Sequence, residues 1–153
     1  MRQEFIGDLS ADVLLGASAP LYTKLYDKGL VESSFSAGYE GLRGVSMFTA
    51  GGDSREPEAV VDAILSEAER VAKEGVAPVL FERIKKSTVG HRLRDLDGFE
   101  TTCYRTCSYF FDGAEYFDFL RVMQSVTAED VQSYLSRCLQ REKAAVSVIR
   151  PKR

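Results

Sequence analysis

The chain has 153 residues and a formal net charge of -3, enough for one domain in which roughly 70% of the unfolded surface is buried. Hydrophobic residues make up 44% and charged residues 28%, a balance that excludes intrinsic disorder. The weak acidity gives no electrostatic case for nucleic acid, and no apolar run is long enough to cross a bilayer. The polar start Met1-Arg2-Gln3-Glu4-Phe5-Ile6-Gly7-Asp8 does not read as a signal peptide. These features predict a cytoplasmic protein with neither nucleic acid nor membrane among its partners.

Residues 5–27 read as helix with a break. Ile6, Leu9, Val13 and Leu14 recur at helical spacing. Gly16-Ala17-Ser18-Ala19-Pro20 interrupts them, because a proline cannot sit in a helix interior. A short helix over 21–27 buries Leu21 and Leu25, and Gly29 is placed to cap it. A hairpin follows. Phe35, Ala37 and Tyr39 alternate with Ser34, Ser36 and Gly38, residues 45–50 form the partner strand, and Glu40-Gly41-Leu42-Arg43-Gly44 turns the chain. Gly51-Gly52-Asp53-Ser54 ends the second strand.

Helix signals dominate thereafter. Pro57 suits a first turn, and Val60, Val61, Ile64, Leu65, Ala68, Val71 and Ala72 make one apolar stripe that stops at Gly75. Pro78 opens a long helix to about residue 96, with Leu80, Phe81, Ile84, Leu93 and Leu96 inward. Residues 99–111 and 116–123 read as two more helices, separated at Gly113. Thr127-Ala128-Glu129-Asp130 reads as a capping box for a last helix to about residue 139. Residues 144–149 alternate as a third strand, before the basic tail Arg150-Pro151-Lys152-Arg153. The sum is an α+β chain forming a single domain over residues 1–153, with an antiparallel sheet and helices packed mainly on one face. Three strands are few for so many apolar helix faces. No repeat, linker or low-complexity run appears.

The catalytic inventory is thin. One histidine, His91, has no partner motif and excludes a Ser-His-Asp triad. Asp95, Asp97, Asp112 and Glu115 lack the spacing of a metal loop, and Gly51-Gly52-Asp53 is too short for a phosphate loop. Cys103, Cys107 and Cys138 are odd in number, which argues for free thiols in a reducing compartment. Cys103 and Cys107 share a helix face and could join Cys138 and His91 around zinc. The spacing is not that of a zinc module, however, and small buried thiols are the expected state.

The segment Ala19-Pro20-Leu21-Tyr22-Thr23-Lys24-Leu25-Tyr26-Asp27-Lys28-Gly29-Leu30 resembles domains of the pitrilysin/insulinase family of zinc peptidases. So do the hairpin ending Gly51-Gly52-Asp53, Phe81-Glu82-Arg83-Ile84-Lys85-Lys86, Thr127-Ala128-Glu129-Asp130-Val131 and Ala145-Val146-Ser147-Val148. The likeness covers nearly the whole chain and is strongest to the C-terminal domain of bacterial, mitochondrial-processing-peptidase-like members. It implies the processing-peptidase-like metallohydrolase fold, here without the strand that opens such domains, and hence a fragment of a larger multi-domain peptidase. It also implies two clamshell halves. One holds zinc and a catalytic glutamate through His-x-x-Glu-His, a motif missing here. The other helps to enclose an unfolded peptide. The expectation is therefore no catalytic residue, no metal ligand and no cofactor in this chain, with zinc in the other domain of the parent protein. The expected partners are that catalytic N-terminal domain, or a separate catalytic subunit, and peptide substrate.

The second half of such enzymes often contributes an arginine and a tyrosine to substrate. By the resemblance those positions fall on Tyr26 and Glu32. An ionised carboxylate donates no proton, so Glu32 could not replace a tyrosine hydroxyl near an oxyanion. Tyr26 and Glu32 either face the substrate chamber or are ordinary surface residues. Arg83, Lys85, Lys86, His91, Arg92 and Arg94 form either a solvated basic face or a steering patch. Tyr104, Tyr109, Phe110, Phe111, Tyr116, Phe117 and Phe119 should be mostly core, with some exposed if the domain docks on another. Two functions fit: a non-catalytic half-domain of a zinc metallopeptidase that binds and encloses peptide, or a scaffold in an inactive pseudo-peptidase.

Overall fold

The computed structural model describes residues 1–42 and 44–150. Arg43 of the expected hairpin turn and residues 151–153 of the basic tail lie outside the described residues. The elements in order are α1 (Arg2–Leu15), α2 (Pro20–Asp27), β1 (Ser36–Leu42), β2 (Val45–Gly51), α3 (Pro57–Glu74), α4 (Pro78–Asp95), α5 (Phe99–Phe111), α6 (Phe119–Gln124) and α7 (Ala128–Cys138). Short 3-10 turns at Tyr116–Asp118 and Arg141–Lys143 precede α6 and follow α7.

Helix α1 is the centre of the molecule. It packs against β1 and against α2, α3, α4, α6 and α7. Phe5, Ile6, Leu9, Val13, Leu14 and Leu15 are all buried, so the helix is covered on more than one face. The buried Ser10 hydroxyl donates to the Ile6 carbonyl at 2.6 Å, which satisfies it inside its own helix. Gly7 is the point of closest approach to the sheet. A Cβ there would collide with the Tyr39 ring and its Cβ on β1, so the glycine lets the strand lie directly on the helix backbone.

Local punctuation explains the boundaries. Pro20 opens α2 as its first residue. Gly29 closes the same helix with φ 67°, its N–H donating to Tyr26 O at 2.8 Å while Leu30 N–H donates to Leu25 O at 3.0 Å. That pair of bonds is a Schellman motif, which favours glycine at the left-handed position. Thr127 and Asp130 form a reciprocal capping box at the start of α7.

The sheet is narrower than the sequence suggests. Among the described residues it has two strands, β1 and β2, antiparallel from Ser36↔Gly51 to Leu42↔Val45. The expected third strand over 144–149 is not formed. Those residues are exposed and, among the described residues, make no backbone hydrogen bond beyond Ala144 N–H to Arg141 O. Their β-branched alternation supplies strand propensity, but a strand also needs a neighbouring ladder. A cavity separates them from β2. One inward and one outward assignment on α4 also change. Leu93 on α4 is exposed, whereas Arg92 is buried, so part of the supposed basic face points into the protein.

Candidate functional site

The cavity between β2 and the C-terminal segment measures about 670 Å³. Ser46, Met47, Phe48, Thr49 and Ala50 line one wall, and residues 144–147 the other. The floor comes from Val61, Ile64 and Leu65 on α3 and from Tyr134, Cys138 and Leu139 at α7. β2 pairs with β1 alone among the described residues, so its outer edge presents unpaired N–H and C=O groups to this slot. Arg141 anchors the far wall. Its guanidinium donates to Asp62 at 2.6 Å, Glu69 at 3.1 Å and the Ser66 hydroxyl at 3.2 Å, all on α3. Arg137, Gln140 and Lys143 also line the slot, so the site can hold an extended backbone over a lining of mixed apolar and polar side chains.

The residues singled out by resemblance lie elsewhere. Tyr26 is 51% exposed on α2 and stacks on Tyr22, with ring centroids 6.3 Å apart. Glu32 is exposed in the turn after α2, where its carbonyl accepts from Phe35 N–H at 3.0 Å. Neither residue lines the slot. Both stand at the surface around one helix end, where a second body could reach them.

A polar cluster that sequence reasoning missed joins α1, α4 and α5. Arg92 is 8% exposed. It donates to Glu4 at 3.1 Å and to Asp8 at 3.4 Å, and its guanidinium lies over the Phe5 ring at 5.3 Å. The Tyr109 hydroxyl donates to the other Glu4 oxygen at 2.5 Å. Burial, then the neighbouring Glu4 charge, push the Asp8 carboxyl up to about 6 despite Arg92. Burial likewise raises Asp12, and burial with the Glu4 hydrogen bond raises Tyr109. One signal was present in the sequence: Glu4, Asp8 and Asp12 recur every four residues beside an apolar stripe. The cluster bonds three helices to one another. It does not set a nucleophile beside a base.

The thiols and the histidine do not fit zinc. All three cysteines are exposed, which corrects the expectation of buried thiols: α5 and the end of α7 turn their outer faces to solvent. His91 Nδ1 is engaged by the Arg94 guanidinium at 2.9 Å, which sets a cation beside the ring. Among the described residues no three His, Cys, Asp or Glu side chains gather as a ligand set. The aromatic expectation also changes. Tyr109, Tyr116 and Phe119 are core, but Tyr104, Phe110, Phe111 and Phe117 are exposed, as is Phe99 at 84%. Helix α5 lies at the rim, with the first 3-10 turn as its main contact. No helix of the described residues is long and apolar enough to cross a membrane.

Comparison with known proteins explains this combination of a formed core and an idle chemical inventory. The uncharacterized zinc protease YmfH of Bacillus subtilis strain 168 is 28% identical over 152 residues, covering 99% of this chain and 35% of that protein. A crystal structure described as an M16-like peptidase from Alicyclobacillus acidocaldarius superposes with a TM-score of 0.85 at 27% identity, over 91% of this chain and 34% of that one. The inactive peptidase domain of a Bordetella parapertussis zinc protease shares the fold, with a TM-score of 0.71 at 18% identity, over 98% of this chain and 86% of that one. The chain thus spans about a third of the length of the curated relative it matches. Residues 2–88 match the peptidase M16 inactive domain, and the chain belongs to that family, as the inactive-domain type rather than the zinc-bearing one.

Proposed function

We propose that this domain is the non-catalytic C-terminal half of a zinc metallopeptidase, and that it helps to bind and enclose unfolded peptide opposite a zinc-bearing domain. The observation that carries the reading is membership of the inactive domain over residues 2–88, in a chain whose one histidine is held by Arg94. The similarity to a protein named as a zinc protease, of which the chain covers 35%, supports a parent that is a zinc-dependent endopeptidase with its metal in another domain. Within that reading Tyr26 and Glu32 face the substrate, which their exposure permits.

A labelled, permanently unfolded peptide mixed with the purified chain and zinc tests this. Saturable binding without hydrolysis is expected, with Tyr26→Ala and Glu32→Ala weakening binding several-fold and leaving the melting temperature unchanged. Hydrolysis by the isolated chain would overturn the reading. The alternative, a scaffold or interaction domain of an inactive pseudo-peptidase, draws support from Glu32, whose carboxylate cannot donate a proton to an oxyanion when ionised. It predicts a stable complex with a zinc-bearing M16 subunit and no peptide binding by either the chain or the complex.

A further inference from the structure

We propose that the outer face of α5 is a docking surface, and that its occupant is the other half of the parent protein, the half read above as zinc-bearing, through an apolar patch ringed by lysine and arginine. This inference rests on that reading and adds the surface by which the two halves meet. Phe99, Cys103, Cys107 and Phe110 follow one another along α5 at spacings of four, four and three residues, so they share one face. Tyr104 and Phe111 widen that face on the side away from Tyr109. The stripe covers roughly 140° of the helix, as broad as the one by which a surface helix ordinarily meets its core. Every residue in it is exposed.

The patch has the size of an interface. Phe99, Tyr104, Phe110 and Phe111 are each 73–84% exposed. At roughly 200 Å² per ring they leave roughly 600 Å² of aromatic surface in water. That is the upper end of what a monomer ordinarily exposes in one patch, roughly 300–600 Å², and most of the ~800 Å² that each partner gives to a standard interface. Free cysteine is ordinarily among the most buried side chains, yet two stand in the middle of this face. The face is also held in place from behind. Tyr109 stacks on Tyr116 and bonds Glu4. Near the start of the helix Thr102 donates to Asp95 O at 3.4 Å, and Arg105 to the Asp95 carboxylate at 3.3 Å. A surface fixed in advance loses little entropy on docking.

Charge selects the occupant. Exposed acids stand at both ends of α5, Asp97 and Glu100 at the start, Asp112 and Glu115 at the end. The two arginines of the same stretch are engaged, Arg105 with Asp95 and Arg121 with Asp118 at 2.6 Å. A second copy meeting this face by two-fold symmetry would set acid against acid, whereas a patch rimmed by lysine and arginine is complementary. The slot beside β2 takes no residue from α5, so a strand laid there leaves this face open. The chain covers 35% of the curated relative and 34% of the M16-like peptidase of known structure. Most of such a protein lies outside this chain and is large enough to cover α5.

The full-length, zinc-loaded parent protein tests this. Maleimide labelling of Cys103 and Cys107, read by mass spectrometry, should be at least roughly tenfold slower than in the same protein unfolded in urea. Tyr104→Asp with Phe110→Asp alters exposed positions only. It should keep the helical circular dichroism and restore fast labelling at both thiols. Asp97→Lys with Glu100→Lys should speed labelling several-fold, because it sets cation against cation. A photoreactive benzoylphenylalanine in place of Tyr104 should cross-link to the zinc-bearing half. Labelling as fast in the folded, zinc-loaded parent as in urea would overturn this inference and leave the peptidase reading standing. So would unchanged labelling in Asp97→Lys with Glu100→Lys, or cross-links to α5 of a second copy or to an added unfolded peptide. A parent that binds no zinc would remove the peptidase reading itself, and this inference with it.

Discussion

Helices α1 and α5 are similar in length and apolar content, yet the protein treats them in opposite ways. α1 buries nine residues, including Gly7 and Ser10. α5 buries Tyr109 alone and leaves Phe99, Tyr104, Phe110 and Phe111 exposed. The difference lies in what surrounds each helix. α1 has the sheet on one side and five helices around the rest, so even its small residues gain from burial. α5 is held at its C-terminal end by Tyr109, which stacks on Tyr116 at 5.6 Å and bonds Glu4 on α1. Hydrophobic side chains stabilise most where a partner surface removes them from water, and on α5 Tyr109 is the residue so buried.

The strongest way to break this comparison is a cavity. Leu9→Ala on α1 should cost about 3–5 kcal/mol in urea unfolding, because the site is fully enclosed and cannot collapse easily. A cost near zero would mean that α1 is not the centre of the core. Arg92→Ala tests the polar seam between the two regions. It leaves the Glu4 and Asp8 carboxylates half-buried without their cation, and should cost about 2–3 kcal/mol, less than a fully buried pair because both acids retain some solvent contact.

Asp8 sharpens the seam through pH. Its folded carboxyl titrates at about 6 against an ordinary 3.8, so the folded state takes up a proton that the unfolded chain releases. The associated stability is fully present below pH 3.8 and is lost as pH rises through 6. Asp8→Asn removes the charge. It should stabilise the protein by about 1 kcal/mol at pH 7.5, a figure reduced for partial exposure, and make no difference at pH 4. Thermal melts of both proteins across this range check the sign. The smallest effect belongs to α5: Tyr104→Ser should shift stability by less than about 0.5 kcal/mol. A large loss there would show that the exposed aromatic face is covered in solution.

Much of the architecture was legible from the chain. Pro20, Gly29, Pro57, Gly75, Pro78, Gly113 and the Thr127–Asp130 box act on neighbouring residues, and each marks an observed boundary. The α3 stripe likewise faces the core at Val60, Ile64, Ala68 and Val71. The resemblance carried by residues 19–30 and the later segments agrees with the M16 inactive domain. The readings that changed concerned either pairs of distant residues or which face of a helix the rest of the chain covers. Arg92 counts as a surface cation until Glu4 and Asp8 arrive from 88 and 84 positions away. Cys103 and Cys107 were expected to be buried, as small thiols often are, but α5 turns them outward.

By itself, then, the sequence determined where helices begin and end, which face of α3 is apolar, and which family the domain belongs to. The first two depend on propensity, capping and periodicity within about four residues, and the family rests on a resemblance spread over segments from residues 19–30 onward. Only the tertiary structure decided the rest: that Arg92 is interior, that α5 is left at the rim, and that residues 144–149 remain apart from β2. A hydrogen-bond ladder or a buried ion pair needs two partners brought to within bonding distance. Local sequence specifies each partner's readiness, and the packing of α1, α3 and α7 specifies whether they meet.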